Sequence, residues 1–201
     1  MPSSRRRFLA AAALLGVPAS ALRAQSARAP TPAMTEGPFY PESFSAAPQT
    51  DLVRGPLMGR PVPLALGGRI LDRFGKPVAG ARVEIWQCDG LGRYTHSRDS
   101  RPEDRDANFA GFGWMLSDAG GRYAFATIRP LPYTGRTPHI HFAVRAPKAR
   151  ALVTQMFVEG EPANANDFLY RSLGPAARAL VTVRPVPAGA GERAEFDLVV
   201  A

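Results

Sequence analysis

His139 and His141 stand two residues apart at the head of an apolar run that continues to Val144. If that run is a strand, both imidazoles point to one face, while Ile140, Phe142 and Val144 point to the other. Tyr133 lies six residues before His139, across a loop containing Gly135 and Pro138. Two imidazoles on one strand face, with a phenol in reach from the adjoining loop, form a metal-ligand pattern, imidazole being the commonest metal ligand. Taken alone, a His-x-His pair is equally an ordinary pair of half-buried histidines. The chain has only three histidines, so the rest of the sequence must decide.

A fourth group comes from Gly92-Arg93-Tyr94, which follows the Trp86 strand at a glycine-rich break. Tyr94 therefore sits on a loop at a strand end, where a rigid scaffold places functional side chains. Tyr94, Tyr133, His139 and His141 make a mixed nitrogen and oxygen set if these strand ends are neighbours. A free phenol has a pKa near 10, so a phenolate ligand at neutral pH calls for a strongly charged Lewis acid beside it. Ferric iron fits two phenolates and two imidazoles. Zinc more often takes His, Cys or carboxylate, and the ferrous facial triad wants a carboxylate with its two histidines.

The elements that must position these groups read as short strands separated by Gly, Pro and Asp turns. Strand candidates are 64–71, 82–88, 123–128, 139–144, 152–158, 180–184 and 194–200. In 82–88, Val83, Ile85 and Gln87 share one face, and Glu84, Trp86 and Cys88 the other. Turns fall at Asp72 to Pro77 and Asp118 to Gly121. Nineteen glycines and twenty prolines favour a turn-rich β fold over a helical bundle. The expected architecture is mainly β, a β-sandwich with long functional loops and little helix. Asp167 to Ser172 reads as one short helical turn capped by Asn166.

Residues 25–60 read as an extended arm lying over the domain, anchored by Phe39 and Tyr40, and residues 61–201 as the β-sandwich catalytic domain. Ahead of the arm, Ser4-Arg5-Arg6-Arg7-Phe8-Leu9, an alanine-rich run to Val17 and small residues at Ala19 to Ala21 and Ala24 have the order of an export signal. They look like a twin-arginine signal over residues 1–24, with Ala21, Ala24 and Ala27 as candidate cleavage points. The apolar run of about ten residues falls short of the roughly 20 that span a bilayer. The expectation is an exported protein, periplasmic or extracellular, with no membrane insertion of the mature chain.

Removing Arg5, Arg6, Arg7 and Arg23 lowers the formal charge from +8 to +4. No run of basic residues interleaved with aromatics remains, so the sequence argues against a nucleic-acid partner. A mild positive field suits an anionic aromatic substrate. The single cysteine, Cys88, excludes an internal disulfide and reads as a buried, inert thiol. The oligomeric state is open, a homo-oligomer included.

The ordered pieces together resemble the intradiol ring-cleavage dioxygenases of the protocatechuate 3,4-dioxygenase and catechol 1,2-dioxygenase type. The resemblance runs from about Thr35 to Gly160. It rests on Thr35-Glu36-Gly37-Pro38-Phe39-Tyr40, on Val83-Glu84-Ile85-Trp86-Gln87 leading into Gly92-Arg93-Tyr94, on Phe109-Ala110-Gly111-Phe112-Gly113, on Ser117 to Phe125, on Pro138-His139-Ile140-His141-Phe142, and on Thr154 to Gly160. It implies that Tyr94, Tyr133, His139 and His141 bind Fe(III), with Tyr133 displaceable and Tyr94 permanent. It implies that Arg136 and Gln155 are active-site residues, and that a catechol and O2 are the substrates of cleavage to a cis,cis-muconate-type diacid. The Tyr133 to His139 spacing of six is shorter than in the well-known catechol and protocatechuate enzymes, which implies a more open pocket. The chain also lacks the N-terminal helical region that accompanies dimeric catechol 1,2-dioxygenases. An exported enzyme of this kind would meet catechols from outside the cytoplasm, lignin and plant phenolics among them. His96 has no ligand role in the resemblance and reads as a surface residue or as one supporting the ligands from behind; Tyr123 and Tyr170 read as packing residues.

A competing reading starts from Gly68 to Asp72 and Gly75 to Val83, which also look like the opening of transthyretin-like and carboxypeptidase-regulatory-like sandwiches, non-catalytic binding modules. That stretch supports the fold and not the activity. The four-ligand set separates the two readings.

Overall fold

The computed structural model describes residues 27–43 and 45–201; the export signal expected over 1–24 lies outside them. Alternation of apolar and polar residues builds the first sheet. β1 (Pro63–Leu71) buries Leu64, Leu66 and Ile70 and exposes Pro63, Ala65 and Arg69. β4 (Arg122–Ile128) pairs with it antiparallel and alternates in the same way. β9 (Gly191–Glu195) and β10 (Leu198–Val199) run parallel to successive parts of β1, and β8 (Val186–Ala188) pairs antiparallel with β9.

The second sheet has the order β3 (Phe112–Leu116), β2 (Arg82–Trp86), β5 (His139–Arg145), β6 (Leu152–Val158) and β7 (Thr182–Val183). Its inner face packs on the first sheet. Val83, Ile85, Ile140, Phe142, Val144 and Met156 meet Leu64, Leu66, Ile70, Phe125 and Phe196 in one core. Fully burying such side chains stabilises the fold by about 1.5–3 kcal/mol each. The fold is therefore the mainly-β sandwich expected.

Unlike β1 and β4, strands β5 and β6 are buried on both faces. The arm explains this. Met34 N–H donates to the Val153 carbonyl, Gln49 exchanges both backbone hydrogen bonds with Trp114, and Leu52 N–H donates to the Ala126 carbonyl. The arm thus bridges the two sheets at their open edge and covers the outer face of the second. It is not merely a cover: Leu52 is fully buried in the main core.

Four local expectations differ from the structure. The strand expected at 180–184 is shorter than expected: Leu180 and Val181 end helix α2 (Pro175–Val181), and Thr182 and Val183 are strand. Pro175 presets the first helical turn, the alanines that follow favour helix, and only Thr182 and Val183 remain for β7. The short helix α1 (Phe168–Ser172) is present, but Asp167 caps it by accepting from Leu169 and Tyr170 N–H; Asn166 closes the preceding 3-10 turn instead. The strand expected at 194–200 is broken at Phe196 and Asp197, where the chain passes from the β9 register to that of β10. β3 was not expected, because Gly111 and Gly113 interrupt its apolar pattern. No helix among the described residues is long and apolar enough to cross a membrane.

Candidate metal centre

The outer face of the second sheet carries the site. Trp86 on β2 lies opposite His141 on β5, which lies opposite Gln155 on β6. Cross-strand neighbours share a face, so these three side chains form one row. The Trp86 indole stacks on the His141 ring at 4.8 Å and 9°. His139, one pair further along, is also turned to this face, and its Nε2 lies 3.1 Å from Nε2 of His141.

The Nδ1–H of His139 donates to the Thr137 carbonyl at 2.6 Å. That contact fixes the tautomer and leaves Nε2 as a lone pair, the usual device for orienting a metal-bound imidazole. Both rings are only 1% exposed. Burial, with Arg136 nearby, pushes His139 down to about 4. Burial, with His139 and Arg136, holds His141 well below its ordinary value. Both are neutral at pH 7, the state that binds a cation.

Two phenols close over this pair. Tyr94 is held through its backbone: Asp89 shapes the turn by accepting from Leu91 and Arg93 N–H, and Asp99 accepts from Tyr94 N–H. Tyr133 sits on a tight turn closed by Arg136 N–H on its own carbonyl. The two loops touch backbone to backbone. A Cβ on Gly92, whose φ is +73°, would lie 2.9 Å from the Pro132 carbonyl oxygen, so glycine is required there. The two phenol rings meet edge to face at 5.0 Å, and Tyr133 lies 5.4 Å from the His139 ring.

The phenols differ in setting. Tyr94 is 3% exposed, and its hydroxyl is enclosed without a hydrogen-bond partner. Tyr133 is half-buried and lines a cavity of about 510 Å³. Burial raises the Tyr94 hydroxyl well above its ordinary value, with Cys88 and Tyr133 adding to the effect. Burial also raises Tyr133, against the opposing pull of Arg136.

The arm roofs the site. Phe39 stacks on Tyr94 at 4.5 Å and meets Tyr133 edge-on at 5.7 Å. Tyr40 meets Trp86 at 5.1 Å and donates to Glu84, a buried carboxylate that also pairs with Arg82 and Arg145. Gly37, with φ +75°, passes so close that a Cβ would stand 3.3 Å from Cε1 of His141. Beyond it, Arg98 donates to the Pro38 carbonyl, and Ser97 donates to Glu42. His96 is buried beneath this clasp, edge-on to Phe39 at 5.7 Å, and not on the surface.

Arg136 reaches across the cavity floor. It donates through Nε to Asp167 at 2.7 Å, through Nη2 to Gln155 Oε1 at 2.6 Å, and through Nη1 to the Tyr133 hydroxyl at 3.5 Å. Gln155 is fully buried and donates onward to the Thr35 carbonyl. It therefore supports Arg136 from below and does not line the cavity. Cys88 is buried with its thiol pushed up to about 12, chiefly by burial, and donates to the Leu131 carbonyl; it is inert, as expected. Tyr123 packs in the core with its hydroxyl on the Phe196 carbonyl. Tyr170 packs against Phe157.

Asp167 is the participant that sequence reasoning missed as a site residue. It accepts from Arg136 and from Thr137 N–H, immediately before the histidine strand, while capping α1. Its only local signal is its place before a short helix.

The residues present fit a cation. Among the described residues no three His, Cys, Asp or Glu side chains converge, so phenols must complete any site built on the two histidines. Two neutral imidazole nitrogens face each other, and a buried phenol beside them has nothing to bond. Unpaired buried polar atoms cost about 1–3 kcal/mol each, a cost that a bound cation removes.

The outer face of this β-sandwich thus brings two strand histidines, two loop tyrosines and a fixed arginine together beside a cavity. The chain belongs to the intradiol dioxygenase family: the family model described as dioxygenase matches residues 35–200. The protocatechuate 3,4-dioxygenase beta chain of Burkholderia cepacia is 37% identical over 149 residues, covering 68% of this chain and 63% of that protein. The hydroxyquinol 1,2-dioxygenase of Nocardioides simplex is 33% identical over 197 residues, covering 85% of this chain and 64% of that protein. The chain thus spans less than two thirds of either relative. Among solved structures, the dioxygenase domain of a dioxygenase and carbohydrate-binding protein fusion from Streptomyces sp. SirexAA-E superposes with a TM-score of 0.69 at 33% identity, over 85% of this chain and 97% of that one.

Proposed function

We propose that this chain cleaves a catechol between its two hydroxylated carbons with O2, in an Fe(III)-dependent intradiol reaction that gives a cis,cis-muconate-type diacid. The observation that carries the reading is the facing pair of neutral imidazole nitrogens, 3.1 Å apart, with Tyr94 and Tyr133 packed over them. Tyr94, Tyr133, His139 and His141 would hold the iron. When bound, ferric iron supplies the Lewis acidity that keeps the phenols ionised at neutral pH and draws electron density from a catecholate toward O2.

The protein's own groups do the rest. His139 and His141 stay neutral and donate lone pairs. Tyr94, enclosed on every side, keeps its place. Tyr133 stands between the cavity and the histidines, so its displacement admits the substrate. Its phenolate oxygen, on release, would take one of the two protons of the incoming catechol, the other passing to water, and burial of the phenol keeps that proton in place. Arg136, locked by Asp167 and Gln155, presents a fixed cation where negative charge develops on the substrate. Gln155 is a positioning residue acting through Arg136. The reaction balances without an external reductant: one ring C–C bond breaks, both oxygen atoms enter the two carboxyl groups, and the ring carbons supply the four electrons.

The proposal extends to the whole chain. Residues 1–24 act as a twin-arginine export signal, 25–60 as the arm and 61–201 as the catalytic sandwich, so the mature protein works in the periplasm or outside the cell. The order of charged, apolar and small residues supports the signal.

The test is product analysis. Iron-loaded protein incubated with catechol under 18O2 is expected to yield a muconate carrying two labelled atoms. A ring-opened semialdehyde, from cleavage outside the hydroxylated carbons, or no oxygen uptake would overturn the reading.

A further inference from the structure

The two histidines are held by different means. His139 is oriented by a hydrogen bond from its Nδ1–H to the Thr137 carbonyl at 2.6 Å. Thr137 is itself fixed, with its N–H on Asp167 at 3.0 Å and its hydroxyl on Asn164 at 2.8 Å. His141 has no such hold. Its Nδ1 is enclosed and finds no hydrogen-bond partner among the described residues. Gln155, its neighbour on β6, is engaged elsewhere, with its amide oxygen on Arg136 and its amide nitrogen on the Thr35 carbonyl. A metal-bound imidazole almost always gives its second N–H to an acceptor, and that contact sets the ring's orientation. Something other than a hydrogen bond must orient His141.

Ring contacts take that place. The Trp86 indole lies against the His141 ring at 4.8 Å, parallel to within 9°, inside the range favoured by stacked rings. The indole is buried, and its own Nε1–H has no partner among the described residues. A buried indole N–H usually finds an acceptor; this one goes unpaired in the position that lays the ring on His141. The indole is backed in turn by Tyr40, which stands edge-on to it at 5.1 Å and 88° and is tied through its hydroxyl to Glu84 at 2.8 Å. At the Cε1 edge of His141 the arm closes in at Gly37, where a Cβ would lie 3.3 Å away.

We propose that Trp86 is the positioning residue for His141: its stacked face, backed by Tyr40 and flanked by the Gly37 turn, holds Nε2 of His141 toward Nε2 of His139 in place of the missing hydrogen bond. The inference rests on the four-ligand reading of the site. It makes the two histidines unequal. Removing the stack frees the His141 ring to turn about its side-chain bonds, while His139 stays anchored on Thr137. A residue that served only the stability of the sheet would loosen both rings alike.

The experiment reads the imidazoles directly. With only three histidines in the chain, their ring signals in the NMR spectrum of the metal-free protein are few, and NOEs to Trp86 and to Phe157, which lies 6.0 Å from His139, assign His141 and His139. In wild type, His141 should show NOEs to the indole and a ring proton moved upfield by the indole ring current. In Trp86→Leu the His141 signals should move and broaden while those of His139 stay in place; Trp86→Phe, which keeps a ring, should restore a single ordered His141. Uptake of Fe(III) from its nitrilotriacetate complex is the second readout. Affinity should fall about 10–100-fold in Trp86→Leu, the usual effect of losing a residue that orients a metal ligand, and recover in Trp86→Phe. A wild-type spectrum without the indole contact overturns the inference even if Trp86→Leu does not fold. So does a folded Trp86→Leu in which both histidines move together, or whose Fe(III) affinity equals that of wild type. A wild type that takes up no Fe(III) removes the four-ligand reading instead, and the ring signals of the metal-free protein still decide whether Trp86 orients His141.

Discussion

Replacing Asp167 with asparagine isolates the contact that fixes Arg136. Oδ2 of Asp167 accepts from Arg136 Nε at 2.7 Å and from Thr137 N–H at 3.0 Å; Oδ1 accepts from Leu169 and Tyr170 N–H at 3.0 and 2.9 Å. Asparagine keeps an oxygen for the helix cap but turns an NH2 group toward two donors. The side chains of Asp167 and Arg136 are 0% and 8% exposed, so water does not rescue either donor. Removing one partner of a buried ion pair costs about 3–5 kcal/mol. At about 2–4 °C per kcal/mol for a chain of this size, Tm should fall by about 6–20 °C. The assay is thermal unfolding of the metal-free protein, so that iron loss does not enter. Adding Arg136→Met to Asp167→Asn removes the stranded charge and should recover part of the loss. A metal-free Asp167→Asn whose Tm lies within about 2 °C of wild type would refute the reasoning, because Arg136 would then be held by something else.

Three further outcomes are expected. Tyr94→Phe removes a buried hydroxyl that has no partner, so the metal-free variant should equal wild type or exceed it by up to about 1–3 kcal/mol in denaturant unfolding; its iron content per chain should nevertheless drop, and a metal-free variant clearly weaker than wild type would show that the hydroxyl has a structural partner. Burial pushes the Glu84 carboxyl up, but hydrogen bonds from Arg82, Arg145 and Tyr40 hold it below its ordinary value of 4.5. Its contribution to stability is therefore present above that value and lost as pH falls through the lower folded one; urea unfolding between pH 3 and 7 should show this acid limb, flattened in Glu84→Gln. Cys88, with its thiol pushed up to about 12, should resist alkylation at pH 8 until the protein unfolds, and stoichiometric labelling of the native protein would contradict its burial.

The histidine face was legible from strand alternation alone, because β5 carries apolar residues at every other position behind the two imidazoles. Cys88 was legible for the same reason, sitting at the end of an alternating segment. The meeting of Tyr94 with Tyr133 was not written in any local pattern. It depends on β2 and β5 being antiparallel hydrogen-bonded neighbours, which brings the loop after β2 and the loop before β5 to one end of the sheet. Asp167 stayed hidden because its work for Arg136, 31 residues earlier, leaves no periodic trace. Leu52 was taken for part of a surface arm, since Leu52 and Val53, bounded by Asp51 and by Arg54-Gly55-Pro56, are too short a run to carry a strand signal. The strand expected at 180–184 was started two residues early, because the apolar Leu180 and Val181 at the end of α2 run on into Thr182 and Val183.

The central claim is that two phenols and two imidazoles hold ferric iron at an accessible site. The visible absorption spectrum of purified, iron-loaded protein tests it directly, recorded before and after anaerobic addition of catechol. The account predicts a broad visible band from tyrosinate-to-iron charge transfer that shifts when catechol binds and weakens in Tyr94→Phe. A colourless protein with one iron bound per chain would contradict it.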